Sequence, residues 1–284
     1  MSTAFVTLIS APELLAAMAG ATPPVVIDTS FDLADTDAGE RRFRSSHMPG
    51  SYYLHLDRDL SAVKTGRNGR HPLPDRAAFA RTLGALRIAP GTQVVALDAQ
   101  GGVYAARLWW MLRWIGHREV AVLDGGLAAW QRAGGSLVAE ATPAPPALPP
   151  YPDLPSLAPT VDAAGVAARP PRRAVLDARS GERFRGEVEP IDAVAGHIPG
   201  ALNRFHRDNL GEGGVFKAPG TLRDEFAALL GDRAPNEVIH SCGSGVTACH
   251  NLLAMEHAGL AGSLLYPGSW SEWSADPARP VARG

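Results

Sequence analysis

The sequence predicts an α/β protein made of two similar halves, each a parallel β-sheet flanked by helices. One observation is that short apolar runs alternate with stretches of helical periodicity along the chain. Another is that the same order of elements recurs after a proline-rich segment. Strands that alternate with helices are typical of parallel sheets, and such sheets bind ligands at the carboxyl ends of their strands.

The elements of the first half can be placed one by one. Apolar runs predict strands at 6–9, 25–28, 52–54, 93–97 and 120–124, and helical spacing predicts helices at 14–18, 75–86, 101–114 and 127–132. Before the first helix, Ser10 and Glu13 form a capping-box pattern, and Pro12 lies where an early helical proline is tolerated. The polar segment 57–74 predicts a long loop.

The second half repeats the first at a nearly constant spacing. The strand at 25–28 recurs at 174–177, and His47-Met48-Pro49-Gly50 recurs as His197-Ile198-Pro199-Gly200. Eight prolines between residues 139 and 159 exclude a helix or central strand and favour a semi-rigid connector. These patterns predict an internal duplication with an N-terminal domain at 1–138, a linker at 139–159 and a C-terminal domain at 160–284.

Composition and charge exclude several classes of function. The formal net charge is −2 and no long basic run occurs, which argues against nucleic acid as a partner. No apolar run approaches membrane-spanning length and the first residues lack a basic signal region, so we expect a cytoplasmic protein without a membrane partner. With Cys242 and Cys249 as the two cysteines, a thiolate metal cluster is not expected, and no metal or organic cofactor is implied.

The residues around Cys242 carry the strongest chemical signal. A short apolar run leads into this cysteine, and a helix is predicted from residue 248 onwards. A thiol at a strand-to-helix turn, followed by Gly243 and Gly245, is placed to be a nucleophile, because free helix amides and the helix dipole favour a thiolate. The alternative is an ordinary buried thiol, which is how we interpret Cys249. His240 and the tryptophans are interpreted as packing residues.

Together these motifs resemble the rhodanese family of two-domain sulfurtransferases. The resemblance rests on the duplicated His-Met/Ile-Pro-Gly motif, the 242–247 loop and the C-terminal run 266–273, and it covers about residues 5–281. It implies two rhodanese-like domains, of which the first is inactive because Ala99 occupies the position of Cys242. That first domain would have a structural role and would line the cleft between the domains.

The resemblance also implies a reaction. Cys-Gly-Ser-Gly-Val-Thr at 242–247 is similar to the loop of 3-mercaptopyruvate sulfurtransferases, whereas thiosulfate-specific relatives carry basic residues after the cysteine. Cys242 would take a sulfane sulfur from 3-mercaptopyruvate as a persulfide and pass it to a thiol, cyanide or a thioredoxin-like protein. Alternatives are thiosulfate as the donor, or a non-enzymatic sulfur-binding or regulatory module. A cysteine phosphatase would need an arginine at position 248, where this chain has Ala248.

Further site residues follow from the same resemblance. Gly243, Gly245, Val246 and Thr247 would hold the persulfide with their backbone amides. Ser244 would form a proton relay with His71 and Asp57 from the first half, and Asp59 is the alternative to Asp57. Arg183 would bind the anionic group of the donor. Many mercaptopyruvate enzymes have a second arginine where this chain has Ile191, and this departure weakens the assignment of the donor.

Overall fold

Short strands and helices alternate along the chain in the computed structural model, which describes residues 4–284. The described strands are β1 (Leu8–Ile9), β2 (Val25–Asp28), β3 (Tyr52–Tyr53), β4 (Val94–Leu97), β5 (Val120–Leu123), β6 (Ala174–Asp177), β7 (Leu202–Asn203), β8 (Val238–Ser241) and β9 (Leu264–Leu265). The described helices are α1 (Ala11–Met18), α2 (Ala38–Ser45), α3 (Arg76–Ala85), α4 (Ala105–Trp114), α5 (Gly126–Arg132), α6 (Ala163–Ala167), α7 (Gly181–Arg185), α8 (Pro219–Leu230), α9 (Ala248–His257) and α10 (Ser269–Trp273). The first three residues of the predicted domain 1–138 lie outside the described residues.

The strands form a five-stranded and a four-stranded sheet, and β9-β8-β6-β7 of the second repeats the order β5-β4-β2-β3 of the first. The first sheet runs β1-β5-β4-β2-β3 and the second β7-β6-β8-β9, and every pairing is parallel. In the second sheet, a parallel bridge between Thr160 and Leu265 takes the place that β1 has beside β5. The predicted fold class, two parallel sheets flanked by helices with an internal repeat, is therefore confirmed.

The chain divides into two compact units, each with one sheet. The first unit contains the described residues up to Ser61, together with Pro74–Leu157 and Gly213–Val215. The second contains Ala62–Leu73, Ala158–Glu212 and Phe216–Gly284. A segment from the long loop of the first half, residues 62–73, thus belongs to the second unit. The domain limits drawn from the sequence, at 138 and 160, stay predictions.

The helices show why some elements were predictable and others were not. The capping box at α1 forms as expected, with the Ser10 amide donating to Oε2 of Glu13 at 2.9 Å. Sequence analysis did not anticipate α2, which is strongly charged and has Gly39 as its one buried residue, nor α6 and α7, which have five residues each. None of these three helices shows an apolar period. In the described part of the chain, no helix is long and apolar enough to cross a bilayer.

The repeated histidines have matching structural roles in the two units. The ring Nδ1 of His47 is 2.6 Å from the carbonyl oxygen of Phe43, and that of His197 is 2.8 Å from the carbonyl oxygen of Phe184. Each histidine ring also stacks on the phenylalanine whose carbonyl it contacts. The ring centroids are 4.2 Å apart for His47 and 3.8 Å apart for His197. Both histidines therefore fix a loop to its own unit.

The strand-to-helix loop of the first unit is built around a carboxylate. Asp98 follows β4, and its Oδ1 accepts from the amides of Gln100 and Gly102, both at 2.8 Å. Its Oδ2 accepts from the amides of Tyr104 at 2.7 Å and Ala105 at 2.9 Å, at the start of α4. A carboxylate is favoured there because helix N-terminal amides and the helix dipole both attract negative charge. The side chain of Asp98 therefore occupies the concave side of the loop in the unit that lacks the thiol.

Replacing Asp98 by alanine should destabilise the first unit. Four backbone amides would lose a charged acceptor in a buried loop, so we expect the free energy of unfolding to fall by about 2–4 kcal/mol. Denaturant titration of the full-length protein measures this change. Asp32→Ala is the matched control, since Asp32 is exposed and accepts from the Ala34 amide in a surface turn. Equal effects of the two substitutions would contradict the role assigned to Asp98.

Candidate active site

Cys242 lies at the carboxyl end of β8, a strand flanked by β6 and β9 in the second sheet. The six-residue loop 242–247 connects β8 to α9, which begins at Ala248 as the sequence predicts. The side chain of Cys242 is 1% exposed, and its Sγ accepts from the Gly245 amide at 3.1 Å. Val246 is buried and Thr247 partly buried at the helix start. The loop thus brings together the predicted cysteine and the predicted persulfide-binding residues.

The C-terminal segment around α10 fixes the shape of this loop. The amide of Trp270 donates to the carbonyl of Cys242 and the amide of Ser271 to the carbonyl of Gly243, both at 2.9 Å. Gly245 has a φ of +76°, and a Cβ there would lie 2.3 Å from the carbonyl oxygen of Pro267. A glycine is therefore required at position 245 both for its backbone angle and for this close approach.

Ser269 is a residue of the site that sequence reasoning missed. Its side chain accepts from the Cys242 amide at 3.0 Å and donates to the Tyr266 carbonyl at 2.9 Å. It is fully buried and has a φ of +52°, a left-handed conformation that is uncommon outside glycine. The surrounding hydrogen bonds maintain this strained conformation next to the thiol. Its position in the run Tyr-Pro-Gly-Ser-Trp was the available signal.

Ser244 and His71 are in contact, as the relay hypothesis requires. Oγ of Ser244 is 2.8 Å from Nδ1 of His71, and both side chains are buried. The two residues meet because segment 62–73 packs within the second unit, where Gly69 lies against Gly268. A Cβ at Gly69, whose φ is +81°, would lie 2.8 Å from the carbonyl oxygen of Gly268.

The two aspartates proposed for this relay belong to the first unit. The amide of Asp57 donates to Nδ1 of His55 at 3.1 Å, and Oδ2 of Asp59 accepts from the His55 amide at 2.7 Å. The carboxylate of Asp59 therefore closes its own turn. The relay role of Asp57 stays a prediction from the sequence.

Arg183 lies over the loop within a chain of alternating charges. Its Nη2 is 2.6 Å from Glu189 and 3.2 Å from Asp192, and its Nη1 would be 3.7 Å from a Cβ on Gly243. The second guanidinium over Gly243 comes from Arg70, a residue that the sequence analysis did not select. Ile191 has 43% exposure, and its amide donates to Oε1 of Glu189. Two arginines therefore flank the loop although position 191 carries none.

Arg179 is the innermost member of this charged chain. Its Nη2 is 2.7 Å from Asp177, its guanidinium lies 4.9 Å from the Trp270 ring centre, and its side chain is nearly fully buried. Burial alone would lower its pKa, but Asp177, Glu189 and the Cys242 sulfur raise it above its usual range. A negative charge on Cys242 and this guanidinium therefore attract each other.

Glu189 joins the two arginines next to the loop. Its carboxylate contacts Arg179 at 3.4 Å and Arg183 at 2.6 Å. Burial opposes its ionisation, but the hydrogen bond from Arg183 and those from the amides of Asp192 and Ile191 lower its pKa below the ordinary value. The carboxylate is therefore ionised at neutral pH and holds Arg183 in place.

Comparison with known proteins identifies the architecture. A profile of the Rhodanese-like domain matches residues 10–133 and 163–276, which is most of the chain. The chain belongs to the rhodanese family. Within this family it is 49% identical over 265 residues to a protein of Pseudomonas aeruginosa named "Probable 3-mercaptopyruvate sulfurtransferase", a match that covers 92% of each chain. It is 33% identical over 268 residues to the thiosulfate sulfurtransferase of Bos taurus, covering 91% of this chain and 88% of that one.

Among solved structures, this rhodanese-family chain is similar to the 3-mercaptopyruvate sulfurtransferase from Leishmania major. The TM-score is 0.83 at 30% identity, and the match covers 95% of this chain and 74% of that one. The predicted family and the predicted enzyme class, a sulfurtransferase, are therefore confirmed.

Cys249 and His240 are two buried residues on either side of the 242–247 loop. Sγ of Cys249 donates to the carbonyl of Gly245 at 3.3 Å, which braces the loop from the first turn of α9. His240 is fully buried on β8, and its ring nitrogens have no hydrogen-bond partner in the part of the chain that the structure describes. Burial lowers its pKa to about 3. The structure thus supports the interpretation of both residues as packing residues.

Because His240 stays neutral when folded, the second unit should lose stability in mild acid. The unfolded histidine binds a proton below about pH 6.5, whereas the folded one resists protonation down to a pH of about 3. The free energy of unfolding should fall by about 1.4 kcal/mol for each pH unit inside this window through His240 alone. In denaturant titrations from pH 7 to pH 4, His240→Leu should therefore gain stability relative to the unmodified protein as the pH falls. Parallel curves for the two proteins would contradict this assignment.

Proposed function

We propose that this protein transfers a sulfane sulfur from 3-mercaptopyruvate, through a persulfide on Cys242, to a thiol or cyanide acceptor. The observation that carries the proposal is the loop 242–247, which leads into α9. In this loop the sulfur of Cys242 accepts a hydrogen bond from the Gly245 amide. The relatives named for sulfur transfer from 3-mercaptopyruvate, which match this chain over nearly its whole length, support the same donor.

In the donor half-reaction, the Cys242 thiolate attacks the sulfur of 3-mercaptopyruvate and a sulfur–sulfur bond forms. The carbon–sulfur bond breaks, and its electron pair leaves with carbon as the enolate of pyruvate. The transferred sulfur keeps its proton or releases it to solvent, and the enolate takes up one proton to give pyruvate. The covalent intermediate divides the transfer into two steps and predicts ping-pong kinetics.

Ser244 and His71 supply the proton in this proposal. Their 2.8 Å contact allows the hydroxyl to donate to the enolate while the imidazole returns a proton to the hydroxyl. Burial of both side chains keeps this path separate from bulk water. The amide of Gly245 and the start of α9 then stabilise the anionic persulfide.

In the acceptor half-reaction, a nucleophile attacks the outer sulfur of the persulfide. A thiolate acceptor leaves as its own persulfide, cyanide leaves as thiocyanate, and in both cases the electron pair of the sulfur–sulfur bond returns to Cys242. A small thiol or a thioredoxin-like protein thiol can serve as the acceptor. This turnover suits a reducing compartment such as the cytoplasm, which we propose as the location of the protein.

Thiosulfate is the second candidate donor. The guanidinium groups of Arg70 and Arg183 above Gly243 suit any small anion, and they supply charge that the loop itself lacks. The thiosulfate sulfurtransferase of Bos taurus also matches 91% of this chain. Sulfite leaves thiosulfate as a stable anion that needs no proton, so the Ser244–His71 contact favours 3-mercaptopyruvate.

Replacing Cys242 by serine should abolish transfer from both donors, because a serine hydroxyl cannot form the persulfide. We expect the rate of sulfur transfer to cyanide to fall by roughly 10³-fold or more. Mass spectrometry should show a gain of about 32 Da, one sulfur atom, on the unmodified protein after donor treatment and none on the variant. Cys249→Ser is the matched control and should retain both activity and sulfur loading. Activity that persists in Cys242→Ser would refute the mechanism.

Replacing Ser244 by alanine should separate the two donors. For 3-mercaptopyruvate we expect kcat/KM to fall by about 10²-fold, because the enolate loses its proton source. For thiosulfate the loss should stay within about 3-fold, since its leaving group needs no proton. Steady-state kinetics with each donor on one preparation measures both values, and the unmodified protein should prefer 3-mercaptopyruvate. Equal losses would argue against the relay, and a preference for thiosulfate would reverse the choice of donor.

A further inference from the structure

The guanidinium group of Arg70 lies directly over the loop that carries Cys242. A Cβ built on Gly243 would be 2.9 Å from Nη2 of Arg70 and 3.7 Å from both terminal nitrogens of Arg183. Position 243 is next to the nucleophile, so both cations are adjacent to the place where a donor must bind. The lack of a side chain on Gly243 leaves this space to the two arginines.

Two contacts hold Arg70 in this position, and one of them is to a residue that also binds the loop. Its amide donates to Oγ of Ser271 at 2.9 Å, and the amide of Ser271 donates to the carbonyl of Gly243. One residue of α10 therefore fixes both the loop and the backbone of Arg70. At the other end of the side chain, Nη1 of Arg70 is 2.6 Å from Oδ1 of Asp192. The side chain of Arg70 is 20% exposed, so its charge is only partly screened by solvent.

Arg70 also has donor capacity that the described residues 4–284 do not use. Within this range its buried Nε has no hydrogen-bond partner, and its ion pair with Asp192 uses Nη1. Arg183 differs, because its Nε and Nη2 both contact Glu189 and its Nη2 also contacts Asp192. Buried polar groups in proteins normally have a partner, and an arginine fork suits a carboxylate or sulfonate.

We propose that Arg70 binds the anionic group of the sulfur donor together with Arg183, and that it supplies the second arginine that is missing at position 191. This inference rests on the proposed function and deepens it, because it names a specificity residue for the donor. The ligand is a small molecule whose transferable sulfur lies between one and three bonds from the central atom of a sulfonate-type or carboxylate group. The arginine reaches the site from segment 62–73 instead of from the chain that follows Glu189-Pro190.

Ping-pong kinetics provides a test that separates binding of the donor from general damage. In Arg70→Gln, kcat/KM for 3-mercaptopyruvate should fall between about 10- and 100-fold through a higher KM, since a charged hydrogen bond contributes about 1.5–3 kcal/mol. The value for a dithiol acceptor such as dithiothreitol should stay within about 2-fold, because this acceptor has no carboxylate or sulfonate group for Arg70 to bind. Arg70→Lys should recover part of the loss in the donor constant.

Arg67→Gln is the matched control, because Arg67 lies on the same segment and is exposed. It should leave both constants unchanged. The role proposed for Arg70 is wrong if Arg70→Gln leaves kcat/KM for 3-mercaptopyruvate unchanged. It is also wrong if the substitution lowers kcat/KM for 3-mercaptopyruvate and for dithiothreitol equally. Sulfur loading of Cys242 on the unmodified protein is measured in parallel. Absence of loading would refute the proposed function and this inference together, whereas loading with an unaltered Arg70→Gln donor constant would refute this inference alone.

Discussion

The strand-to-helix turn of each unit concentrates backbone amides at one point, and a group that accepts hydrogen bonds must lie inside it. In the first unit the carboxylate of Asp98 fills this place permanently, with four amide hydrogen bonds. In the second unit the sulfur of Cys242 accepts a hydrogen bond from the Gly245 amide. The same backbone arrangement is thus a closed structural turn in one unit and, in the proposed function, a reactive one in the other.

The charged groups around the Cys242 turn are supplied by residues outside that turn. Arginines and carboxylates alternate from the core to the loop, and this charged chain consists of Asp177, Arg179, Glu189, Arg183, Asp192 and Arg70. The carboxylates position the guanidinium groups and offset their mutual repulsion. The loop has the uncharged residues Gly243 and Ser244 directly after Cys242, yet it lies beside two guanidinium groups. The absence of basic residues from the loop does not mean an uncharged site.

Local sequence patterns were sufficient to predict the parallel sheets, the capping box of α1 and the position of Cys242 before α9. Each of these depends on residues close together in the chain. The strained Ser269 and the arginine at position 70 were not predictable in the same way, because their roles depend on contacts across 27 and 201 residues. Composition, periodicity and motif spacing contain no information about which unit a polar loop will pack against. The contact between His71 and Ser244 was anticipated only through family resemblance, for the same reason.

The assignment of segment 62–73 to the second unit affects how this duplicated chain can be divided. A cut in the proline-rich stretch 139–159 would follow the repeat in the sequence, but it would separate Arg70 and His71 from the loop that they contact. The two halves of the sequence repeat therefore do not correspond to two separate structural units. A gene fragment that encodes residues 160–284 would carry Cys242 and Arg183 without Arg70 and His71, so twelve residues of the first half are needed to complete the surroundings of this loop.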